Sequence, residues 1–306
     1  MKPLDYSALH TRLNLKMFLW PLSLYIPTVI AACSNGDIGL LFFGYTSIAY
    51  ALIVAWLISW QRSKRIENFA LANNLQPNPY YFYGQAPPAL QGMGHSEDND
   101  YIYDIPLRDS WATIFQHKYT VGNDKYQHTF TFTIMVLTNL KKYPHLFLDG
   151  QQNGASYAYA AAQRISLEGN FDKSFKLYAP EGLNIDALSI LAPDVMQTLV
   201  DGGRPYDIEI VGDKMYIIAK GNQYTEPALK AMRQFGQDLL DEFDHKSVSW
   251  RPNDLQDATP LRENWFRGFV SGESRPASLT YLGLAIFIVI LFFAVIEPAI
   301  LSSMSN

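Results

Sequence analysis

The chain has 306 residues, 48% of them hydrophobic and 17% charged, with a formal net charge of −5 and one cysteine, Cys33. An acidic chain lacks the positive field that neutralises phosphates, so nucleic acid is excluded as a partner. A single cysteine excludes an internal disulfide and any multi-cysteine metal site.

Residues 1–16 carry Lys2, Arg12 and Lys16 against one acid, Asp5. Two apolar runs follow, 17–33 and 38–60, joined by the polar turn Ser34-Asn35-Gly36-Asp37. The second run holds no charge, and its length of about 23 residues reaches ~34 Å as a helix, enough for a ~30 Å hydrocarbon core. Lipid offers backbone amides no partners, so such runs are predicted to form a helical hairpin across a membrane. Arg62, Lys64 and Arg65 follow the hairpin at once, while its turn carries no basic residue. Positive charge stays inside, which places the N-terminus and the central domain in the cytoplasm of a bacterial inner membrane. A third apolar run, 279–301, predicts a third span and a short external tail, 302–306. Glu297 lies near the outer end of that run, at the interface depth a carboxylate tolerates.

Between the spans, 61–110 reads as a helix over 61–75 and a linker. The linker contains the acidic Glu97-Asp98-Asn99-Asp100 stretch, which lacks the glycine and distal glutamate of a calcium loop. Residues 111–245 read as an α+β domain with an antiparallel sheet and packed helices. Alternating apolar residues predict strands on both sides of Gly122-Asn123. A two-residue turn there would pair Val121 with Asp124 and Phe115 with Phe130. Leu146 to Leu148 adds a short strand. After the turn Glu168-Gly169-Asn170, Phe171, Phe175 and Leu177 share one face of a further strand and are core candidates. Asn184 can cap a short helix over 185–191. Pro193 starts another helix, and Gly202-Gly203 stops it. Residues 207–211 and 215–219 form a hairpin. Leu229, Met232, Phe235, Leu239 and Phe243 recur at helical spacing after Thr225 and Pro227. Residues 246–278 lead back to the membrane.

The residues Phe171-Asp172-Lys173-Ser174-Phe175 and Ile190-Leu191-Ala192-Pro193-Asp194-Val195-Met196 carry a resemblance. This stretch resembles a family of bacterial membrane proteins classed as a domain of unknown function. The resemblance implies an N-terminal hairpin, membrane attachment and no catalytic residue. Ala192 stands where the family pattern has Thr, which removes a hydroxyl that would cap the helix at Pro193.

Few residues carry candidate chemistry. Ile30-Ala31-Ala32-Cys33 matches a lipobox, so Cys33 is a lipidation candidate against the plain reading of a small residue at a helix end. His117 and His128 fall opposite each other in the proposed hairpin and are the only metal candidates, with no third ligand in sight. Asp194, Asp201, Asp207 and Glu209 read as carboxylates near element ends. Arg62, Lys64, Arg65, Arg262, Trp265, Phe266, Arg267 and Phe269 form a predicted membrane-interface set. No phosphate loop, nucleophile elbow or zinc-protease motif is present, and no cofactor is implied. The sequence thus points to a membrane-anchored protein whose partners are the bilayer and a second protein, acting as a binding or scaffolding module. The alternatives are a membrane-tethered enzyme with a site near 167–201 and a subunit of a small transporter or channel.

Overall fold

The computed structural model describes residues 3–10, 22–23, 25–26, 29–30, 36–81, 86–122, 127–138, 140–153, 164–167, 171–180, 188 and 190–246, with the side chains of 36–44, Arg62 and 244–246 outside the description. The chain divides into two compact units, one of residues 1–10 and 68–274, the other of 11–67 and 275–306.

The first unit is built on nine strands: β1 (Gln76–Pro77), β2 (Ser96–Pro106), β3 (Trp111–Val121), β4 (His128–Leu137), β5 (Tyr143–Gly150), β6 (Arg164–Ile165), β7 (Phe175–Tyr178), β8 (Tyr206–Gly212) and β9 (Lys214–Lys220). They form one sheet in the order β1-β2-β3-β4-β9-β8-β5-β7-β6, antiparallel throughout. Among the described residues, the α-helices of this unit are α2 (Pro193–Gly202) and α3 (Glu226–Lys246), and α1 (Gly36–Ala72) lies mostly in the second unit.

Alternation along each strand divides the side chains between two faces. One face packs on α3, whose Leu229, Met232, Phe235, Leu239 and Phe243 are buried. Contact is close enough that a Cβ on Gly236 would lie 3.0 Å from the Met135 sulfur. Glycine in mid-helix costs about 1 kcal/mol, and here it allows that approach. Helix α2 packs beside α3, with Gly203 against the Phe235 ring. The other face carries Phe115, Phe132, Ile134, Val136, Tyr216 and Ile218, under a cover formed by Tyr81, Ala86 and Leu90.

The α2 N-cap is Ala192, which makes no side-chain cap hydrogen bond. The amide that a capping hydroxyl would take, Val195 N, already donates to Asp194 Oδ1 at 3.1 Å, so Ala192→Thr should change stability in urea unfolding by less than about 0.5 kcal/mol. A gain of about 1 kcal/mol would mean that the hydroxyl caps the helix better than Asp194 does.

Three expectations are corrected here. The first is the membrane architecture. Among the described residues no helix is long and apolar enough to cross a membrane. The backbone of α1 is helical from Gly36 through the apolar run that ends at Trp60. Helix α1 then continues without a break through Gln61, Lys64 and Glu67 to Ala72. A multi-pass bacterial inner-membrane protein with three transmembrane helices is not supported. The second is the fold class. The described chain is dominated by the nine-stranded sheet, with few helices, rather than by an α+β domain hung from three spans. Most of 17–33 and all of 279–301 lie outside the described residues.

The third correction is local. The acidic stretch 96–100 is the first half of β2, paired with β3. Asp, Asn and Glu are poor strand formers, but pairing overrides propensity when cross-strand partners exist. Here Lys118 pairs with Asp100, and Asn99 with His117. The β3–β4 register also differs: Val121 opposes His128 and Phe115 opposes Ile134. Phe130 and Ile134 lie on the same face of β4, so alternation alone cannot separate registers that differ by an even number.

Candidate functional site

Residues 86–95 cross the covered face of the sheet. At one end the amide of Ala89 donates to both oxygens of Glu209 on β8, at 2.9 and 3.1 Å. At the other end His95 N donates to Thr120 O at 3.0 Å, and a Cβ on Gly94 would meet that same oxygen at 2.5 Å. The Pro87-Pro88 pair opens a tight turn in which Leu90 N donates to Pro87 O. Leu90 is fully buried against the sheet. Two polar clusters lie on this covered face.

The first sits on β5 and β8. Asp207 and Glu209 alternate along β8 and so share a face, and Phe147 and Asp149 do the same on β5. Register pairs Phe147 with Glu209 and Asp149 with Lys176 on β7. All three carboxylates are buried to 2% exposure or less. Glu209 is held by the Ala89 amide and by His145, whose Nε2 lies 2.7 Å from its Oε1. Asp207 accepts from Gly150 N at 2.8 Å. Asp149 is the least satisfied of the three. Its Oδ2 has Lys176 Nζ at 3.9 Å and Gln151 Nε2 at 3.3 Å, and its Oδ1 has no hydrogen-bond partner among the described residues. Burial pushes the Asp149 carboxyl up to about 6, against the lowering pull of Lys176, Gln151 and Arg164. A carboxyl tuned there can exchange a proton near neutral pH, and buried groups so shifted mark candidate sites.

The second cluster sits on β2 and β3. His117 Nδ1 lies 2.7 Å from Asn99 Oδ1, and Asn99 Nδ2 donates to Tyr81 O at 2.6 Å. The amide orientation of Asn99 is thereby fixed, and its oxygen can only accept. His117 must therefore carry its proton on Nδ1 and present a bare lone pair at Nε2. That nitrogen is buried and has no partner among the described residues, as is true of Tyr119 OH and Glu97 Oε1. Burial pushes His117 down to about 4, so the ring is neutral. Beside Asn99, β2 bulges between Asp100 and Tyr103, and Tyr101 adopts φ 55°. A non-glycine residue there costs roughly 1–3 kcal/mol, and bulges concentrate near functional sites.

The sequence-predicted residues fare unevenly. His117 is buried in the second cluster, but its neighbour across β4 is Phe132, and His128 is exposed opposite Val121. The two histidines are on adjacent strands but several residues apart, so the pair cannot share a metal. Among the described residues no three His, Cys, Asp or Glu side chains gather to hold an ion. Lys64 pairs with Glu67 on its own helix at 2.5 Å, and Arg65 is half-buried. Cys33, Arg262, Trp265, Phe266, Arg267 and Phe269 lie outside the described residues, as does the side chain of Arg62. Among the described residues of the 167–201 segment, Lys176 reaches a polar cluster, at 3.9 Å from Asp149. Asp149 was missed, and Asp207 and Glu209 read only as carboxylates near element ends. Their signal was present: in Tyr206–Gly212 both acids alternate with Ile208 and Ile210 inside an apolar run. Comparison of the chain with protein families, characterised proteins and solved structures finds no match, so no role is carried over from another protein.

Proposed function

We propose that this protein is a binding module that docks a second polypeptide on helix α1. The observation that carries the reading is a stripe of exposed apolar side chains. Tyr45, Ile48, Leu52, Trp56 and Trp60 follow one another at three- and four-residue spacing and are 75%, 61%, 66%, 62% and 41% exposed. Such spacing puts all five on one side of a helix. The opposite side is already in use. Leu57 and Gln61 are buried there, Tyr25 stacks on Tyr50 at 5.0 Å, and its hydroxyl bonds Ser47 Oγ at 2.7 Å.

Scattered exposed apolar residues are ordinary, but a contiguous run of large ones marks an interaction surface. Burying a Leu, Ile or aromatic side chain fully contributes roughly 1.5–3 kcal/mol. The stripe therefore offers ample driving force, with Trp56 and Trp60 as anchors of the kind that dominate interfaces. It holds no charge, so the complementary partner is an apolar groove into which a helix ridge fits. The test is co-purification of the full-length chain from its native cells. Leu52→Asp combined with Trp56→Ser should abolish recovery of a stoichiometric protein partner, because it buries an unpaired charge at the centre of the contact. A partner retained undiminished by the variant would place the interface elsewhere.

A further inference from the structure

We propose that Glu97, His117 and Tyr119 form a binding site for a divalent transition-metal ion of the zinc class. The three side chains occupy neighbouring positions on one face of β2 and β3. Glu97 opposes Tyr119, and His117 opposes Asn99 two residues further along. Each contributes a buried polar atom without a partner among the described residues: Glu97 Oε1, His117 Nε2 and Tyr119 OH. Two of the three are pure acceptors, because Nε2 carries no proton in the tautomer that Asn99 imposes. His117 and Tyr119 are 0% and 1% exposed, and Phe115 and Phe132 beside them are as deeply buried.

The buried lone pair at His117 Nε2, with the buried Oε1 of half-exposed Glu97 beside it, is costly unless a positive centre or a donor meets it. Imidazole nitrogen with carboxylate oxygen is a donor set that zinc-class ions take readily, and oxygen-seeking magnesium and calcium do not. The supporting contacts are those of a metal-bound histidine. Its distal nitrogen donates to Asn99 Oδ1, and Asn99 is itself anchored on Tyr81 O, which fixes the ring orientation. The Tyr119 oxygen offers a third contact, and water completes the coordination. This inference is independent of the docking stripe on α1.

The competing occupant is a buried water, which would donate to Nε2 and Oε1 and accept from the phenol. The two occupants differ in one measurable respect. Full-length chain stripped with a chelator should bind one equivalent of Zn²⁺ by calorimetry, melt at higher temperature when loaded, and give with Co²⁺ the intense visible bands of low coordination. His117→Gln should abolish binding. Glu97→Gln, a near-isosteric change at a half-exposed residue, should weaken it by at least about tenfold. His128→Ala, on the exposed end of β4, should change nothing. Absence of saturable binding would show that the site holds water only. Binding that Glu97→Gln leaves intact, or that His128→Ala removes, would also overturn the proposal.

Discussion

Phe175→Ala should cost about 3–5 kcal/mol of folding stability, much of the ~5–15 kcal/mol margin of an ordinary domain. Phe175 is fully buried at the start of β7 and stacks on Phe171 at 5.4 Å. Truncation removes the ring from both the packed pair and the sheet, where Phe175 opposes Gly150. Gly150 brings no side chain to fill the space, and a Cβ there would meet Tyr206 O at 2.4 Å. A cavity is therefore left with little room for collapse. Urea unfolding of the full chain reads the effect, with exposed Lys173→Ala as the neutral control. A cost under about 1 kcal/mol would mean that neighbouring side chains close the gap.

Asp149→Asn should stabilise the chain at pH 7.5 by about 1–3 kcal/mol and change little near pH 4. The folded carboxyl titrates at about 6, above its ordinary value of 3.8, because burial disfavours the charge. Between those values the folded chain keeps a proton that the unfolded chain has lost. Asp149 therefore contributes stability below about pH 4 that is lost as pH rises through 6. Asparagine never ionises and escapes that loss. His117 has the opposite sign. Its folded value of about 4 lies below the ordinary 6.5, so its contribution is present above 6.5 and lost as pH falls through 4. In the native chain the two slopes oppose each other over the same window. Asp149→Asn removes one of them, so stability of the variant should climb between pH 4 and 6.5 more steeply than that of the parent. Destabilisation at pH 7.5 would show instead that Lys176 holds Asp149 ionised at its 3.9 Å separation.

Residues with a strong period were legible in the sequence. Leu229, Met232, Phe235, Leu239 and Phe243 mark the buried side of α3, and Tyr206–Gly212 with Lys214–Lys220 form the hairpin around Asp213. Burial of Phe171 and Phe175 followed from the same reasoning, although Phe171 lies in a 3-10 turn rather than in the strand. Elements whose stability comes from distant partners were not legible. Strand β2 has the composition of a loop, and pairing with β3 is what makes it a strand. Missing β2 hid Asn99, and without Asn99 the only visible partner for His117 was another histidine. Asp149 and Glu209 were hidden for a related reason. A carboxylate is expected in water unless a specific donor is known, and the donor of Glu209 is the backbone of Ala89, far away in sequence. Hydropathy erred in the other direction, reading the apolar content of α1 as a span. The helix expected over 61–75 is the continuation of α1 through Lys64 and Glu67 to Ala72.

The exposed stripe of α1 is tested most directly by photocrosslinking in the native cells. A photoreactive residue is placed at Leu52, on the exposed side, and at Leu57, which is 3% exposed on the packed side. If the stripe docks a second polypeptide, Leu52 should give one discrete protein adduct, and Leu57 should react only within its own chain. Adducts at Leu52 with lipid alone, or equal intermolecular adducts from both positions, would contradict the binding function.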